Sequence, residues 1–259
     1  MGRLAARRAG IYGKVLAMST SQHPALEDRV ELFRADLDTH EQALLAKQRH
    51  DCAHALAHSD SPTRVLAAAK NALGHGEARR LLHIELAPLT QTIACREGCH
   101  WCCHLRVTAT AAEVCLIAEH LRRVAPTQVL KRIRARLPLK ANASDDMTVA
   151  CALLTEAGGC GVYDVRPLAC RGWTSPDAAA CERSLRDEAE PPPADLQLAR
   201  ECGAIGVGLI DALREIGLSA GLVELNAALS IALGEPHALE RWHAGEAVFD
   251  HALDDDGPT

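Results

Sequence analysis

The stretch Cys95-Arg96-Glu97-Gly98-Cys99-His100-Trp101-Cys102-Cys103 places four cysteines within nine residues. A packed core does not need so many thiols in so short a segment, whereas a metal site does. Thiolates are soft ligands, and spacings of two or three residues let one turn of chain present several sulfurs to one ion. The stretch therefore predicts an irregular segment that binds metal.

Three further cysteines, distant in sequence, extend the predicted ligand set. We expect seven thiols to converge in space: Cys95, Cys99, Cys102, Cys103, Cys151, Cys160 and Cys170. Seven thiolates are too many for one tetrahedral ion, so the alternatives are an iron–sulfur cluster with spare thiols or two separate sites. The predicted cofactor is zinc or iron, with a 4Fe–4S cluster among the forms that iron can take.

Several residues beside this set are ambiguous. Cys102 and Cys103 are adjacent, and adjacent side chains of an extended chain point to opposite sides, so the two serve different metals or one lies outside the coordination shell. Cys181 is a candidate eighth ligand. His100 and His104 are also candidates, although the many thiols nearby favour a place outside the shell for both.

Charge and hydrophobic pattern assign roles to other residues near the cysteines. Thiolates around a divalent ion leave a net negative charge, which nearby arginines can offset. The candidates are Arg96, Arg106, Arg166 and Arg171, for which simple surface solvation is an equally good explanation.

Three other cysteines are expected to pack in the core. They are Cys52, Cys115 and Cys202, which stand among aliphatic residues of predicted helices.

Composition limits the fold and the class of function. The chain has 259 residues, of which 48% are hydrophobic and 3% aromatic, so the core is built from aliphatic residues and favours helices over sheets. The net charge of −6 argues against a general nucleic-acid binder. We expect neither an export signal nor a membrane span, and therefore a cytoplasmic protein whose partners are a metal ion and a protein.

Hydrophobic periodicity predicts where the helices lie. One amphipathic helix is expected from Pro24 to about Leu56, and a second from Pro62 to a break at Gly74-His75-Gly76. A third helix is expected at Glu77–Leu89, and a fourth starts at Thr110 with Glu113 as its capping-box partner. A short helix follows at about Thr127–Leu137, and then an irregular segment at 138–193. Three helices close the chain, and Pro236 starts the last of them, with Trp242 and Phe249 on one face.

These elements predict a mainly α fold with helical layers around an irregular cysteine-rich metal-binding segment. The predicted division is an N-terminal extension at 1–22, N-terminal helices at 23–92, the cysteine-cluster region at 93–175, a linker at 176–193 and C-terminal helices at 194–253 that pack on the same domain. Met18 opens a polar segment, and we expect residues 1–17 to be an extension upstream of the native start.

The order of the cysteines resembles a known family. Cys95-x3-Cys99-x2-Cys102-Cys103 is followed by Cys151-x8-Cys160-x2-Tyr163-x2-Arg166-Pro167-x2-Cys170-Arg171, as in the YkgJ-like family of zinc- or iron-chelating domains. The segments 223–229 and 241–249 are similar to longer members, so the resemblance covers roughly residues 90 to 250. It implies chelation of zinc or iron. Related motifs occur in flagellin lysine N-methylases, which implies an iron–sulfur or methylation link.

Three classes of function remain open at the level of sequence. The first is a metal-binding protein without turnover, acting as a metal carrier, a sensor or a structurally stapled partner. The second is an iron–sulfur enzyme that performs redox chemistry or modifies proteins, as a methylase does. Cys95-x3-Cys99-x-Trp101-Cys102 also fits the radical S-adenosylmethionine motif, but that fold needs alternating parallel strands where we expect helices. A cysteine nucleophile is a third alternative.

Overall fold

The fold is mainly helical, as the sequence predicts. A computed structural model describes residues 26–57, 60–86, 93–96, 98–143, 149–186 and 194–252. The α-helices are α1 (Leu26–Ala35), α2 (Thr39–Ala57), α3 (Thr63–Leu86), α4 (Ala111–Val124), α5 (Thr127–Ala141), α6 (Leu168–Gly172), α7 (Ala178–Leu185), α8 (Leu196–Glu215), α9 (Leu225–Gly234) and α10 (Ala238–His243). The predicted extension at 1–22 and the proline run at 191–193 lie outside the described residues.

Short elements complete the fold and were not predicted. Strands β1 (Thr108–Thr110) and β2 (Leu222–Glu224) form a two-stranded antiparallel sheet in which Ala109 lies opposite Val223. Turns of 3-10 helix lie at Trp101–His104, Tyr163–Val165 and Asp250–Ala252. Because β1 comes directly before α4 and β2 directly before α9, the sheet fixes the starts of these two helices side by side.

Helix α8 lies at the centre of the molecule. It packs against α2, α3 and α6, while α9 packs against α4 and α5. The buried apolar side chains of all these helices form one continuous core, which includes Leu56, Ile117, Leu137, Leu209 and Leu229. None of the helices that the structure describes is long and apolar enough to cross a membrane.

The prediction of a single helix from Pro24 to Leu56 is wrong. The chain breaks between α1 and α2, where Asp38 and Glu41 cap each other. The Glu41 N–H donates to Asp38 Oδ1 at 2.8 Å, and the Asp38 N–H donates to Glu41 Oε2 at 2.9 Å. This reciprocal pair satisfies the free N–H groups that begin a new helix, so the hydrophobic period continues across a break in the backbone.

The predicted break at Gly74-His75-Gly76 is also wrong, because α3 continues through it to Leu86. Gly76 is buried, and a Cβ atom there would lie 2.5 Å from Cδ2 of Leu168. The glycine therefore permits close packing of α6 on α3 and does not end the helix. A glycine that ends a helix and one that permits close approach look the same in a single sequence.

Later in the chain the predictions fare better. Thr110 caps α4 through a capping box with Glu113, as predicted, and three helices follow residue 193. Helix α5 continues to Ala141 with Pro138 in its last turns, and the segment predicted to be irregular contains α6 and α7. The last helix begins at Ala238 and ends at His243, so Phe249 is not on it; Phe249 packs edge-on against Trp242, with ring centroids 5.9 Å apart.

Two glycine substitutions should have opposite effects on stability. At Gly208, where α8 crosses α2, a Cβ atom would lie 2.5 Å from the carbonyl oxygen of Leu45 and 3.1 Å from the amide nitrogen of Arg49. Because both are backbone atoms, we expect Gly208→Ala to lower the free energy of unfolding by about 3 kcal/mol. Gly74→Ala is the control: it is exposed in α3 with nothing within 4 Å, and should raise this free energy by ~0.5–1 kcal/mol. Urea unfolding of both variants measures this; equal effects would contradict the helix crossing.

Candidate metal centre

The first cysteine segment folds into a tight turn followed by one turn of 3-10 helix. Gly98 has φ 83°, a left-handed conformation, and the Cys99 N–H donates to the Arg96 carbonyl at 3.0 Å. Cys102 and Cys103 both lie in the 3-10 turn. The extended chain on which the prediction of opposite orientations rested is therefore absent at this pair, and a hydrogen bond between the two thiols raises the pKa of Cys102.

The second cysteine segment is held against the first by backbone hydrogen bonds. The Cys151 N–H donates to the Cys103 carbonyl at 2.8 Å, which joins residues far apart in sequence. Helix α5 secures both segments from outside: Arg136 donates to the carbonyls of Cys151 and Leu154, and Lys140 Nζ donates to the carbonyl of His104 at 2.7 Å. Hydrogen bonds from basic side chains of α5 therefore hold the backbone of this region in place.

Cys160 ends a compact turn that packs on the first segment. Residues Leu154 and Cys160 form an isolated antiparallel bridge, and Gly158, with φ 80°, sits at the tip between them. A Cβ atom at Gly158 would lie 3.5 Å from the His100 ring. The turn therefore lies directly against the 95–103 stretch, as convergence of the cysteines requires.

Cys170 lies on the short helix α6, and a carboxylate from α4 fixes the start of that helix. Oε1 of Glu113 accepts from the Leu168 N–H at 2.8 Å, while Oε2 accepts from the N–H and the hydroxyl of Thr110. Burial raises the pKa of Glu113, and these hydrogen bonds oppose that rise. The capping box was predicted, but the second helix that Glu113 caps was not, because the contact spans 55 residues of sequence.

A third segment joins the group through Ser175. The Ser175 N–H donates to the sulfur of Cys95 at 3.3 Å, and the Ser175 carbonyl accepts from the Ala94 N–H at 2.8 Å. Helix α7 follows and packs against the 3-10 turn, and its Cys181 thiol hydrogen-bonds to Ser175. Cys181, the ambiguous eighth candidate, therefore lies beside the first cysteine segment.

The electrostatic interactions of the thiols divide them into two overlapping groups. Cys95 and Cys181 interact with each other and with both Cys99 and Cys102. Cys170 interacts with Cys102, Cys151 and Cys160. Cys102 is common to both groups, and Cys103 interacts with Cys102. All three cysteine segments thus approach one another at Cys102.

Several of these thiols have raised pKa values. Burial raises the pKa of Cys95 and of Cys151 to about 11 each, and also raises the pKa values of Cys160 and Cys170. All eleven cysteines lie in the described residues and are free thiols. Among those same residues, no three Cys, His, Asp or Glu side chains already stand in a geometry that would hold a metal ion.

The donor set nevertheless fits zinc or iron. Thiolate ligands are those that zinc and iron–sulfur clusters take, and a bound metal displaces the thiol protons as it binds. Closing a coordination shell here requires loss of those protons and a local movement of the sulfurs. The imidazole Nδ1 of His100 is buried without a hydrogen-bond partner in the described part of the chain, so His100 stays a candidate ligand.

The arginines near the cysteines take different roles. Arg166 and Arg171 are buried, and the charge of each acts on the Cys160 thiol. Arg106 instead donates to the carbonyl of Ala141 at the end of α5, and Arg96 is exposed. Simple solvation therefore accounts for Arg96 but not for the two buried arginines.

The remaining cysteines pack in the core, as predicted. Cys52 and Cys202 are fully buried and Cys115 is 4% exposed. Burial raises the pKa of Cys52 to about 11 and that of Cys202 to about 12. They are separate from the cysteine groups described above and behave as small apolar side chains.

The architecture does not fit a radical S-adenosylmethionine enzyme. That fold places a series of parallel strands after its three-cysteine motif. The described residues contain one sheet, which has two strands and is antiparallel. The match of Cys95, Cys99 and Cys102 to that motif thus lacks its structural setting.

The cysteine region is similar to a described family of domains. Residues 94–188 match the family model named CxxCxxCC, whose description reads "Putative zinc- or iron-chelating domain". The match includes all seven predicted ligands and Cys181. No curated protein and no solved structure matches the chain.

Proposed function

We propose that this chain, whose residues 94–188 match the zinc- or iron-chelating domain family, is a metal-binding protein that holds zinc or iron on cysteine thiolates. The proposed ligands come from the seven predicted cysteines together with Cys181. One observation carries the proposal: three segments remote in sequence meet at the cysteines, because the Cys151 N–H donates to the Cys103 carbonyl and the Ser175 N–H donates to the Cys95 sulfur. Such convergence has no use in an apolar core but is what a metal requires.

The scaffold around these thiols supports a resident metal rather than a transient one. Helices α3, α4 and α5 fix the cysteine segments through Glu113, Arg136, Lys140 and the buried arginines. We therefore keep the predicted boundaries as part of the proposal, with the cysteine region at 93–175, helices on either side as its support and a reducing, cytoplasmic setting. Because Cys181 lies in the predicted linker at 176–193, the proposal extends the metal region to include it.

The second candidate is an iron–sulfur enzyme of redox or protein-modifying type, such as a methylase. The observation that favours it is the number of thiols: the seven predicted ligands and Cys181 make eight, and one zinc ion takes four at most. A 4Fe–4S cluster on one group would leave the other group for a second site. This candidate and the first share the same ligands and differ in the metal and in turnover.

Serine substitutions at matched positions test the proposal. Cys102→Ser should lower zinc affinity by ~100-fold or more, because this thiol belongs to both groups, and Cys181→Ser should lower it by ~10-fold or more, whereas Cys115→Ser should leave it unchanged. Zinc competition with a chromophoric chelator, performed on reduced full-length protein, gives the affinities. Equal affinities for Cys102→Ser and Cys115→Ser would contradict the proposed site.

A further inference from the structure

Two buried arginines beside the cysteines share a single carboxylate as their ion-pair partner among the described residues. Arg166 is 7% exposed and Arg171 is 4% exposed. Both approach the same carboxylate oxygen of Glu77, at 3.6 Å and 2.6 Å, and Glu77 also pairs with Arg80. In the described part of the chain, no other carboxylate lies within ion-pair distance of Arg166. One negative charge thus serves three cations, and a buried charge is costly unless it is paired.

The two buried arginines differ in how their hydrogen bonds are used. Arg171 donates from Nε to the Arg166 carbonyl at 3.0 Å, and from its terminal nitrogens to Glu77 and to the Asp164 carbonyl. Arg166 stacks 3.7 Å over the ring of Tyr163, and its Nε is buried with no hydrogen-bond partner among the described residues. The Arg171 side chain therefore hydrogen-bonds through Nε and both terminal nitrogens, whereas the Nε–H of Arg166 makes no hydrogen bond to the described residues.

The surroundings of Arg166 indicate what that N–H group meets. Cys160 comes three residues before Tyr163, whose ring Arg166 covers, and Cys170 lies on α6, which begins two residues after Arg166. The positive charge of Arg166 also acts on the thiols of Cys102, Cys160 and Cys170. These three thiols belong to the group in which Cys170 interacts with Cys102, Cys151 and Cys160.

We propose that Arg166 is a positioning residue of the metal centre, whose Nε–H donates to a thiolate sulfur of Cys102, Cys160 or Cys170 once the metal is bound. Its uncompensated charge then balances that of the thiolates. The inference rests on the proposed function. Hydrogen bonds to ligand atoms orient them and tune the metal, and their loss typically costs 10–100-fold in affinity.

Substitutions that separate charge from hydrogen bonding test this role. Arg166→Gln should lower zinc affinity by ~10–100-fold, and Arg166→Lys, which keeps the charge but loses the planar Nε–H, should lose less. The exposed Arg96→Gln is the matched control and should stay within about twofold of the unchanged protein. Saturation with Co²⁺ adds a second readout: the sulfur-to-cobalt absorption band should move in Arg166→Gln and not in Arg96→Gln.

The outcomes distinguish this inference from the function on which it rests. If the unchanged chain binds neither Zn²⁺ nor Co²⁺, the proposed function and the role of Arg166 both fail. If it binds both, while Arg166→Gln and Arg166→Lys bind equally well with an unmoved cobalt band, the role of Arg166 alone is overturned. Should Arg166→Gln not fold, Arg166→Lys decides by the same two readouts.

Discussion

Removal of the metal from the loaded protein should make the cysteine region exchange its amide hydrogens much faster, while the helices after residue 193 stay protected. Coordination free energy is part of folding free energy, because the unfolded chain has no preformed site. Structural zinc in small peptides contributes ~10 kcal/mol or more. Here the continuous core of the helices is held by apolar burial and not by the metal, so we expect local loosening within residues 93–175 and not global unfolding.

Hydrogen exchange with and without a chelator measures this effect, and single substitutions refine it. Cys99→Ser removes a proposed ligand with little change in volume and should reproduce the chelated pattern. Cys202→Ser, on the buried face of α8, should not. Equal protection of the 93–175 segment in both states would mean that the cysteines are not structural ligands.

The second large effect concerns a buried carboxylate on α8. The Glu201 side chain is fully buried and accepts from Arg79 at 2.6 and 2.8 Å, with His83 and His40 at 3.0 and 3.2 Å. We expect Arg79→Leu to lower the free energy of unfolding by about 3 kcal/mol, because it leaves the carboxylate with weaker partners. Chemical denaturation at neutral pH measures this loss.

An exposed arginine provides the control. Arg241 pairs with Glu235 and Glu246 on the surface, where all three side chains are about half exposed, so Arg241→Leu should cause no measurable change. A loss as large in Arg241→Leu as in Arg79→Leu would show that the buried setting of Glu201 is not what matters.

The same carboxylate makes stability depend on pH in a defined direction. Burial alone raises the pKa of Glu201, but the hydrogen bond and charge of Arg79, with a contribution from His83, more than offset this and leave it below its ordinary 4.5. A carboxyl whose pKa is lower in the folded state stabilises the fold above its unfolded pKa, and this contribution is lost as the pH falls through the folded value. In Arg79→Leu the pKa of Glu201 should rise, because burial is no longer opposed by Arg79, so the stability lost on acidification should be smaller than in the unchanged protein; urea unfolding across the acid range measures this.

Local signals predicted α4, α5 and the three helices after residue 193, but not the bounds of α1, α2 and α3. The capping box of Thr110 and Glu113 correctly predicted the start of α4. The aliphatic neighbours of Cys52, Cys115 and Cys202 correctly predicted that these thiols are buried. The break before α2 also had a local signal, since Asp38 and Glu41 have capping-box spacing, but the hydrophobic period that continues across it took precedence. The sheet of β1 and β2 had no such signal, because each strand has only three residues.

The assembly of the candidate site could not be predicted in the same way. Sequence spacing identifies thiols, yet it does not show that the Cys151 N–H reaches Cys103 or that Ser175 holds Cys95. Nor does it separate Arg166 from Arg171, which are both conspicuous beside the cysteines but differ in whether their N–H groups are satisfied. Such contacts depend on packing between distant elements, which leaves no periodic pattern in the chain.

The most direct test of the central claim is the metal and sulfide content of full-length protein purified without oxygen. We expect at least one zinc or iron atom per chain, bound tightly enough to survive gel filtration and released when the thiols are alkylated under denaturing conditions. Iron with matching sulfide would select the cluster, and zinc alone would select the mononuclear site. Protein that is folded and reduced, carries no metal and takes up neither zinc nor iron when they are supplied would contradict the account.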